Sequence, residues 1–522
     1  MKKHIITLLI FFLALPIIRA NTFYFNITQE NTVQEIKIEL QTLINNAIAN
    51  DTIIVTGSKT NVNAPLILTI HTEKTLLWQA NYQSNTSFSG DCLIAFAGEG
   101  TFEVTNCTLS VSNAFTVMAG GENSTIIVSS TGKVQAFGNG DINAISTYGN
   151  VEIKDNAQVN GSIEEVIKTY GNNSVITMSG GEVSALSGNA IIAYGLNAKI
   201  IVTGGYVSND ADAGYPTLIA VNQNSEGTNI FIGGTAKIEA KKKGIVVQTF
   251  AKAIISGDAQ INSLYIEEND YYAVRALGGI EIKDNAHITS KNGYAIQAHE
   301  IIISDRAKVN GSGLYTIHTG KDVCIKDKAQ VTATDGFIFE DVIFTGITLE
   351  GGALFVYGAD FSHILHSGDL SIITGSGVMM AWNKDAGNTN YEMYSTDDIL
   401  IEPKTATAYW TRQDNKNGIF YADGENTGFI PLDVTVLSVS EPILSQLKLY
   451  PNPTTGAVKI ETQSPVSSHD IEIFDMVGRK IEVNLSVSQQ DATNTQIIDM
   501  FQIPSGMYFL KIGDKIGKVV RQ

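Results

Sequence analysis

Charged side chains are scarce in this chain, 17% of its 522 residues, and basic ones scarcer still: 35 Lys and Arg against 53 Asp and Glu leave a net charge of −18. A nucleic-acid binder needs a basic footprint, so that class is excluded. Three cysteines, Cys92, Cys107 and Cys324, cannot build a disulfide framework. No CxxC pair or Cys/His cluster suggests zinc. One Cys92–Cys107 bridge is open to an oxidising compartment; the competing reading is three small buried or half-buried side chains. Proline, at 10 residues, is too rare for a Pro-rich linker protein. No apolar run reaches the ~18 residues of a membrane-spanning helix. An HExxH motif, a serine-nucleophile motif and a Gly-rich phosphate loop are all missing. What is abundant is apolar side chain (43%) and glycine (47 residues). That combination suits a folded core made of short strands joined by many tight turns.

The first twenty residues read as an export signal. Lys2 and Lys3 precede an apolar run from Ile5 to Leu15 broken only by Thr7, and Ala20 closes a plausible cleavage site. No cysteine follows to carry a lipid, so no N-terminal lipid anchor is expected.

The body repeats. Val151-Glu-Ile-Lys-Asp-Asn-Ala157-Gln-Val159 returns as Ile280-Glu-Ile-Lys-Asp-Asn-Ala286-His-Ile288, then as versions centred on Ala307 and Ala329. Weaker copies surround Gly132, Gly181, Gly205, Ala236 and Ala259. The small residue recurs at 132, 157, 181, 205, 236, 259, 286, 307 and 329, so most steps lie between 21 and 27 residues and one is 31. A second phrase, such as Tyr272-Ala-Val274, Tyr294-Ala-Ile296 and Tyr315-Thr-Ile317, precedes most copies. Each repeat thus holds about three short strands with alternating apolar residues, the period of a half-buried strand. Such a unit cannot bury its own core and must stack on its neighbours, at about 4.8 Å per layer. It is also too short for a sandwich domain of ~100 residues. The expected fold is all-β: a right-handed parallel β-helix solenoid over 21–344, with final coils or a β cap over 345–440. Ile36, Leu40, Leu43, Ile44 and Ala47 fall on one helical stripe, which predicts a short N-terminal capping helix over the open core end. This entry, and the coil pattern behind it, resembles pectate-lyase-like β-helix proteins.

From residue 447 the style changes to a turn-rich module over 447–522, expected to be a small β-sandwich. Pro451-Asn452-Pro453 with Gly456, Asp475 to Gly478, Gly506-Met-Tyr508, and Lys518 and Arg521 near the end occur in that order. They resemble the type A sorting domain of cargo of the Bacteroidetes-type type IX secretion system. The resemblance implies recognition by the outer-membrane translocon and sorting machinery. It also implies release from the cell or attachment to surface lipopolysaccharide.

Two columns of residues are candidates for chemistry. Aligning the Tyr-Ala-Val/Ile strands puts Gln248, Arg275, Gln297, His318 and Glu340 at one outward position in five consecutive coils, about 4.8 Å apart. A stripe of hydrogen-bonding groups is suited to reading a sugar chain; the plain alternative is a solvated polar face. Tyr271, Tyr272, Tyr294 and Tyr315 lie beside it as stacking surface or corner packing. The second column is Asp155, Asp284, Asp305 and Asp327. Calcium is the one cofactor that such a carboxylate ladder suggests. Turn chemistry explains the aspartates more simply, because weaker copies carry Gly, Ser or Thr there. No catalytic set emerges: a lyase or hydrolase needs grouped carboxylates, and only Arg275, His318 and Glu340 approach that. The favoured expectation is a non-catalytic surface protein that binds a polysaccharide, host or matrix ligand; a polysaccharide lyase or glycoside hydrolase is the alternative.

Overall fold

The structure, a computed structural model, describes residues 20–84, 91–138, 142–162, 164–211, 214–221, 228–242, 244–265, 271–334, 336–340, 346–357, 361–366, 373–384, 391–393, 407–413, 416–423, 426–431, 449–450, 454–461, 471–474, 480–481, 487–489, 495–512 and 515–521. The expected export signal, Ala20 apart, lies outside the described residues. The chain divides into two compact units, Met1–Pro431 and Leu432–Gln522.

The first unit is a parallel β-solenoid. A representative coil runs Asn150–Ile153, Gln158–Gly161 and Glu164–Thr169. The first two strands of each coil join one large sheet, and the third joins a separate 12-stranded sheet. Inward and outward residues alternate along the first two strands, as the period-2 pattern requires. Stacking in register carries each inward residue onto its counterpart one coil away. One such ladder runs Val55, Trp78, Val104, Val128, Ile153, Met178, Val202, Ile232, Ile255, Ile282, Ile303, Ile325. All twelve are buried.

The corner after the first strand explains the repeat phrase. In Lys154-Asp155-Asn156-Ala157 the Ala157 N–H donates to the Lys154 carbonyl at 3.2 Å, and the same closure recurs at Ala286, Ala307 and Ala329. These alanines are fully buried, where a larger side chain would collide with the stack. The aspartate takes a left-handed conformation each time: φ is 59° at Asp155, 59° at Asp284, 58° at Asp305 and 55° at Asp327. Asp and Gly tolerate that region best, and Gly257 (φ 66°) and Gly234 (φ 55°) stand there in weaker copies.

Residues Val33–Asn46 form the expected helix. Thr32 and Glu35 make a reciprocal capping box, and Val33, Ile36, Leu40 and Ile44 are buried. Leu66–Thr69 is the first strand of the 12-stranded sheet and pairs with Cys92–Ala97. Gln41 of the helix bonds that strand's backbone twice: Thr69 N–H donates to Gln41 Oε1 at 2.8 Å, and Gln41 Nε2 donates to the Thr69 carbonyl at 3.1 Å. At the other end, parallel stacking continues through Ile347–Tyr357 and Ile373–Lys384. Tyr391–Met393 then pairs antiparallel, and Thr407–Gln413, Lys416–Asp423 and Asn426–Pro431 make an antiparallel sheet of three strands.

The cysteines are unpaired. Burial pushes the Cys92 thiol up to about 11 and the Cys107 thiol up to about 12. Both are therefore small apolar core groups and poor nucleophiles.

Candidate functional site

The outward column is assembled by strand register. Gln248 on Val247–Thr249 faces Arg275 on Tyr272–Ala276. Arg275 faces Gln297 on Tyr294–Ala298, and Gln297 faces His318 on Tyr315–Thr319. Glu340 follows Phe337–Phe339, whose Phe339 pairs with Ile317, so Glu340 arrives beside His318. His318 Nδ1 and Glu340 Oε2 are hydrogen-bonded. All five residues thus share one column of the 12-stranded face.

The column is half in water: the side chains of His318 and Glu340 are 39% and 28% exposed. The Arg275 Nε and Gln297 Oε1 atoms are enclosed without a hydrogen-bond partner. An enclosed, unsatisfied donor beside an enclosed, unsatisfied acceptor is costly, on the order of 1–3 kcal/mol each.

Three positions before this column stands an aromatic one. Tyr272 and Tyr294 stack at 4.8 Å between centroids, Tyr294 and Tyr315 at 5.8 Å, and Tyr315 meets Phe337 at 5.7 Å. The Arg275 guanidinium lies 5.9 Å from the Tyr272 ring centre, within cation–π range. His318 meets Tyr294 edge-on at 5.8 Å. Burial, and after it the Glu340 carboxylate, raises the Tyr294 phenol above its usual range, so it stays protonated and can donate to Glu340. Tyr271 packs edge-on against Tyr265 at 5.8 Å and against Gly214.

Sequence reasoning missed the far end of the stack. Phe337 extends it, and His363 lies flat on Phe337 at 4.4 Å, while His366 meets Tyr315 at 5.3 Å. Phe337 was findable, since it stands 22 residues after Tyr315 in the same phrase position. His363 and His366 sit where the repeat has faded, around the 3-10 turn Phe361–Ile364, and carry no sequence signal. Also missed was a dipeptide, Tyr148-Gly, Tyr170-Gly and Tyr194-Gly, at steps of 22 and 24 residues.

The aspartate column is engaged in its own turns. Asp155 Oδ2 accepts from Ser130 N–H at 2.9 Å, Asp284 Oδ2 from Gly257 N–H at 2.8 Å, Asp305 Oδ2 from Asp284 N–H at 3.1 Å, and Asp327 Oδ2 from Asp305 N–H at 3.2 Å. Each carboxylate thus holds the left-handed residue of the neighbouring coil. Among the described residues no three His, Cys, Asp or Glu side chains group as metal ligands.

The second unit holds two antiparallel sheets. One contains Leu449–Tyr450, Ala457–Glu461, Thr495–Asp499 and Val487–Gln489; the other contains Ile471–Phe474, Gly506–Ile512 and Lys515–Arg521. Val458, Ile471, Ile473, Ile498, Met500, Ile503, Tyr508, Leu510 and Val519 form one shared core. Of the sorting-motif residues, Pro451, Asn452, Pro453, Asp475 and Gly478 lie outside the described residues. Gly456 lies under the Phe501 ring, where a Cβ would overlap ring carbons. Gly506 opens its strand, Tyr508 Oη donates to the Pro504 carbonyl at 2.9 Å, and Lys518 pairs with Phe509 in the last strand. Arg521 Nε donates to the Met500 carbonyl at 3.3 Å.

No helix among the described residues is long and apolar enough to cross a membrane. Comparison of the chain with curated proteins returns no match, and comparison with solved structures returns none. The family model described as a secretion system C-terminal sorting domain matches residues 448–522. The motif order, the two-sheet core and this match agree: the chain ends in a type IX secretion sorting domain and is a secreted or cell-surface β-helix protein.

Proposed function

We propose that the solenoid is a non-catalytic binding body, displayed or released by the secretion machinery, and that its 12-stranded face binds a glycan along Gln248, Arg275, Gln297, His318 and Glu340. The half-exposed polar column, set in register beside the stacked rings of Tyr272, Tyr294 and Tyr315, carries this reading. A ligand bearing hydroxyl or carboxyl groups meets the exposed polar groups of that column, and the adjacent tyrosines supply rigid apolar edges. The helix Val33–Asn46 serves as the cap of the first coil, since Gln41 occupies backbone groups that a further strand would otherwise take. The two C-terminal sheets close as a small sandwich for recognition by the translocon, with surface lipopolysaccharide as the attachment partner when the protein is retained.

A second reading, a polysaccharide lyase or glycoside hydrolase, draws on one observation: His318 and Tyr294 both meet the Glu340 carboxylate. One carboxylate with an imidazole gives a single proton-transfer relay, without the paired carboxylates of a glycosidase.

One experiment separates them. The full chain is incubated with neutral and acidic glycans, with and without calcium, and both retention and new chain ends are scored. Retention without new ends, weakened at least ~10-fold (about 1.4 kcal/mol) in Arg275→Ala, is the expected result. New ends that vanish in His318→Ala make the protein an enzyme; retention of no glycan at all sinks the glycan reading.

A further inference from the structure

Five to three coils before Arg275, the same face carries a different surface. Tyr148, Tyr170 and Tyr194 follow the strands Ile145–Thr147, Glu164–Thr169 and Gly188–Ala193 at one corner of three successive coils. Their rings stack at 5.5 and 5.7 Å, the second pair within 12° of parallel, yet they remain 49%, 40% and 39% exposed. Three large aromatic side chains left that open is unusual for a packing role, which would bury them.

They are also held still. The residue after each tyrosine is glycine, and a Cβ at Gly149, Gly171 or Gly195 would overlap a carbonyl oxygen of the preceding coil (Ser124, Tyr148 and Gly171 in turn). The corner is therefore pressed directly onto its neighbour. Lys168 Nζ lies 5.3 Å from the centre of the Tyr170 ring and 5.5 Å from that of Tyr194. Glu165 receives Lys168 at 3.2 Å and the Tyr194 hydroxyl at 3.4 Å. This ion pair is nearly buried, with side chains 8% and 12% exposed, so it anchors the rings without offering a charge to solvent. Beside Glu165, Asn143 and Asn189 are more than nine-tenths buried, and each keeps a side-chain oxygen without a partner. The corner continues with exposed amides: Asn172 Oδ1 accepts from Leu196 N–H at 2.9 Å, and Asn197 Nδ2 donates to Asn173 Oδ1 at 3.3 Å.

The exposed chemistry of this ridge is therefore aromatic edges, phenol hydroxyls and amides, rigid and uncharged, in a chain whose net charge is −18. Rigid tyrosine with adaptable amide neighbours binds at low cost in conformational entropy. One ring per coil, 5.5 and 5.7 Å apart between centroids, suits a linear polymer lying along the solenoid axis. The position below Tyr148 is Gly120, which has no side chain, so one end of the stack has no ring or other side chain stacked on it in that column. From this arrangement we infer that Tyr148, Tyr170 and Tyr194 form a second binding site, for an uncharged polysaccharide chain rich in hydroxyl groups, separate from the Arg275 column and standing without it.

The test is electrophoresis of the full chain through gels containing neutral polysaccharides (a soluble β-glucan, an α-glucan, a mannan) or a polyuronate. The expected result is retardation by at least one neutral polymer, at least ~10-fold weaker in Tyr148→Ala and unchanged in Arg275→Ala. Tyr148 is chosen because it is the most exposed of the three, and circular dichroism melting of each variant separates lost binding from lost fold. Tyr148→Phe, which keeps the ring, should retain most of the retardation. Retardation by no neutral polymer overturns the inference. So does retardation lost in Arg275→Ala but kept in Tyr148→Ala, which assigns all binding to the other column. Concentration-dependent dimerisation that Tyr148→Ala abolishes, without any glycan effect, also overturns it and makes the ridge a contact between copies.

Discussion

The early and late halves of the 12-stranded face share one scaffold and differ in what they present. Inward, both halves carry the same kind of ladder, valine and isoleucine stacked coil upon coil. Outward, the column that holds Asn143, Glu165 and Asn189 early becomes Tyr272, Tyr294, Tyr315 and Phe337 late. The column of Ser146, Lys168 and Ile192 becomes Arg275, Gln297 and His318. Early, the aromatic residues sit at the corner and the charges lie buried beneath them. Late, the aromatic residues lie within the strand and the polar groups stand half open. The difference teaches that a solenoid separates its two tasks: inward positions answer to the neighbouring coil and are interchangeable, whereas outward positions are free to vary and so carry function.

The largest expected effect tests the corner itself. Gly171→Val forces a branched side chain into the Tyr148 carbonyl and should cost about 3 kcal/mol or more, read as a drop in melting temperature. The late half carries both kinds of corner: at Gly278 a Cβ would lie 2.7 Å from the Ala251 carbonyl carbon, whereas one coil later Glu300 already accommodates a side chain, so Glu300→Val should melt within ~0.5 kcal/mol of wild type. Equal losses would mean that the two corners are packed alike.

Acid should loosen the late half first. His287 stands in a column with Gln260 and Lys308. Its Nε2 accepts from Asn310 Nδ2 at 2.7 Å, and Thr289 Oγ1 lies 3.3 Å away. Burial, with Lys308 adding to it, pushes the imidazole down to about 4 from 6.5. Between those values the unfolded chain binds a proton that the folded chain refuses. Stability is therefore full above about pH 6.5 and falls as pH drops toward 4, by at most about 3 kcal/mol before solvent screening. The early members of the same column, Lys133, Gln158, Glu182 and Tyr206, include no imidazole. Hydrogen exchange at pH 7 and pH 5 should show protection lost earlier around residues 280–311 than around 125–161, and His287→Gln should remove that difference.

The smallest effect concerns the left-handed corner. Asp305→Ala keeps φ near 58° without the carboxylate that holds Asp284 N–H, and should cost about 1–2 kcal/mol in chemical denaturation. Asp305→Gly relieves the backbone and should cost less, as Gly257 and Gly234 already fill that position elsewhere. A larger loss in Gly than in Ala would show that the side-chain hydrogen bond outweighs the backbone conformation.

Much of this was legible in the sequence because each coil's neighbour lies about one repeat away. Residues that share a position in the repeat phrase, as Tyr272, Tyr294 and Tyr315 do, also stack, so the spacing alone places Gln248 through Glu340 in one column. The aspartates were readable as turn residues from their replacement by glycine, and the left-handed φ values supply the cause. Legibility failed where repetition failed. The long step between residues 205 and 236 contains an irregular register at Thr228 and Ile230, and the stretch bearing His363 and His366 has no repeat phrase to align.

By itself, then, the sequence determined the period, the inward ladder, the corners and the sorting tail, all of which depend on residue type at fixed short spacing. Only the tertiary structure decided which rings stack, that Glu165 and Lys168 are buried under exposed tyrosines, and that Arg275 Nε and Gln297 Oε1 are enclosed without partners. Those outcomes depend on side-chain direction and on the exclusion of water by groups from three or more coils at once, and no single repeat encodes that.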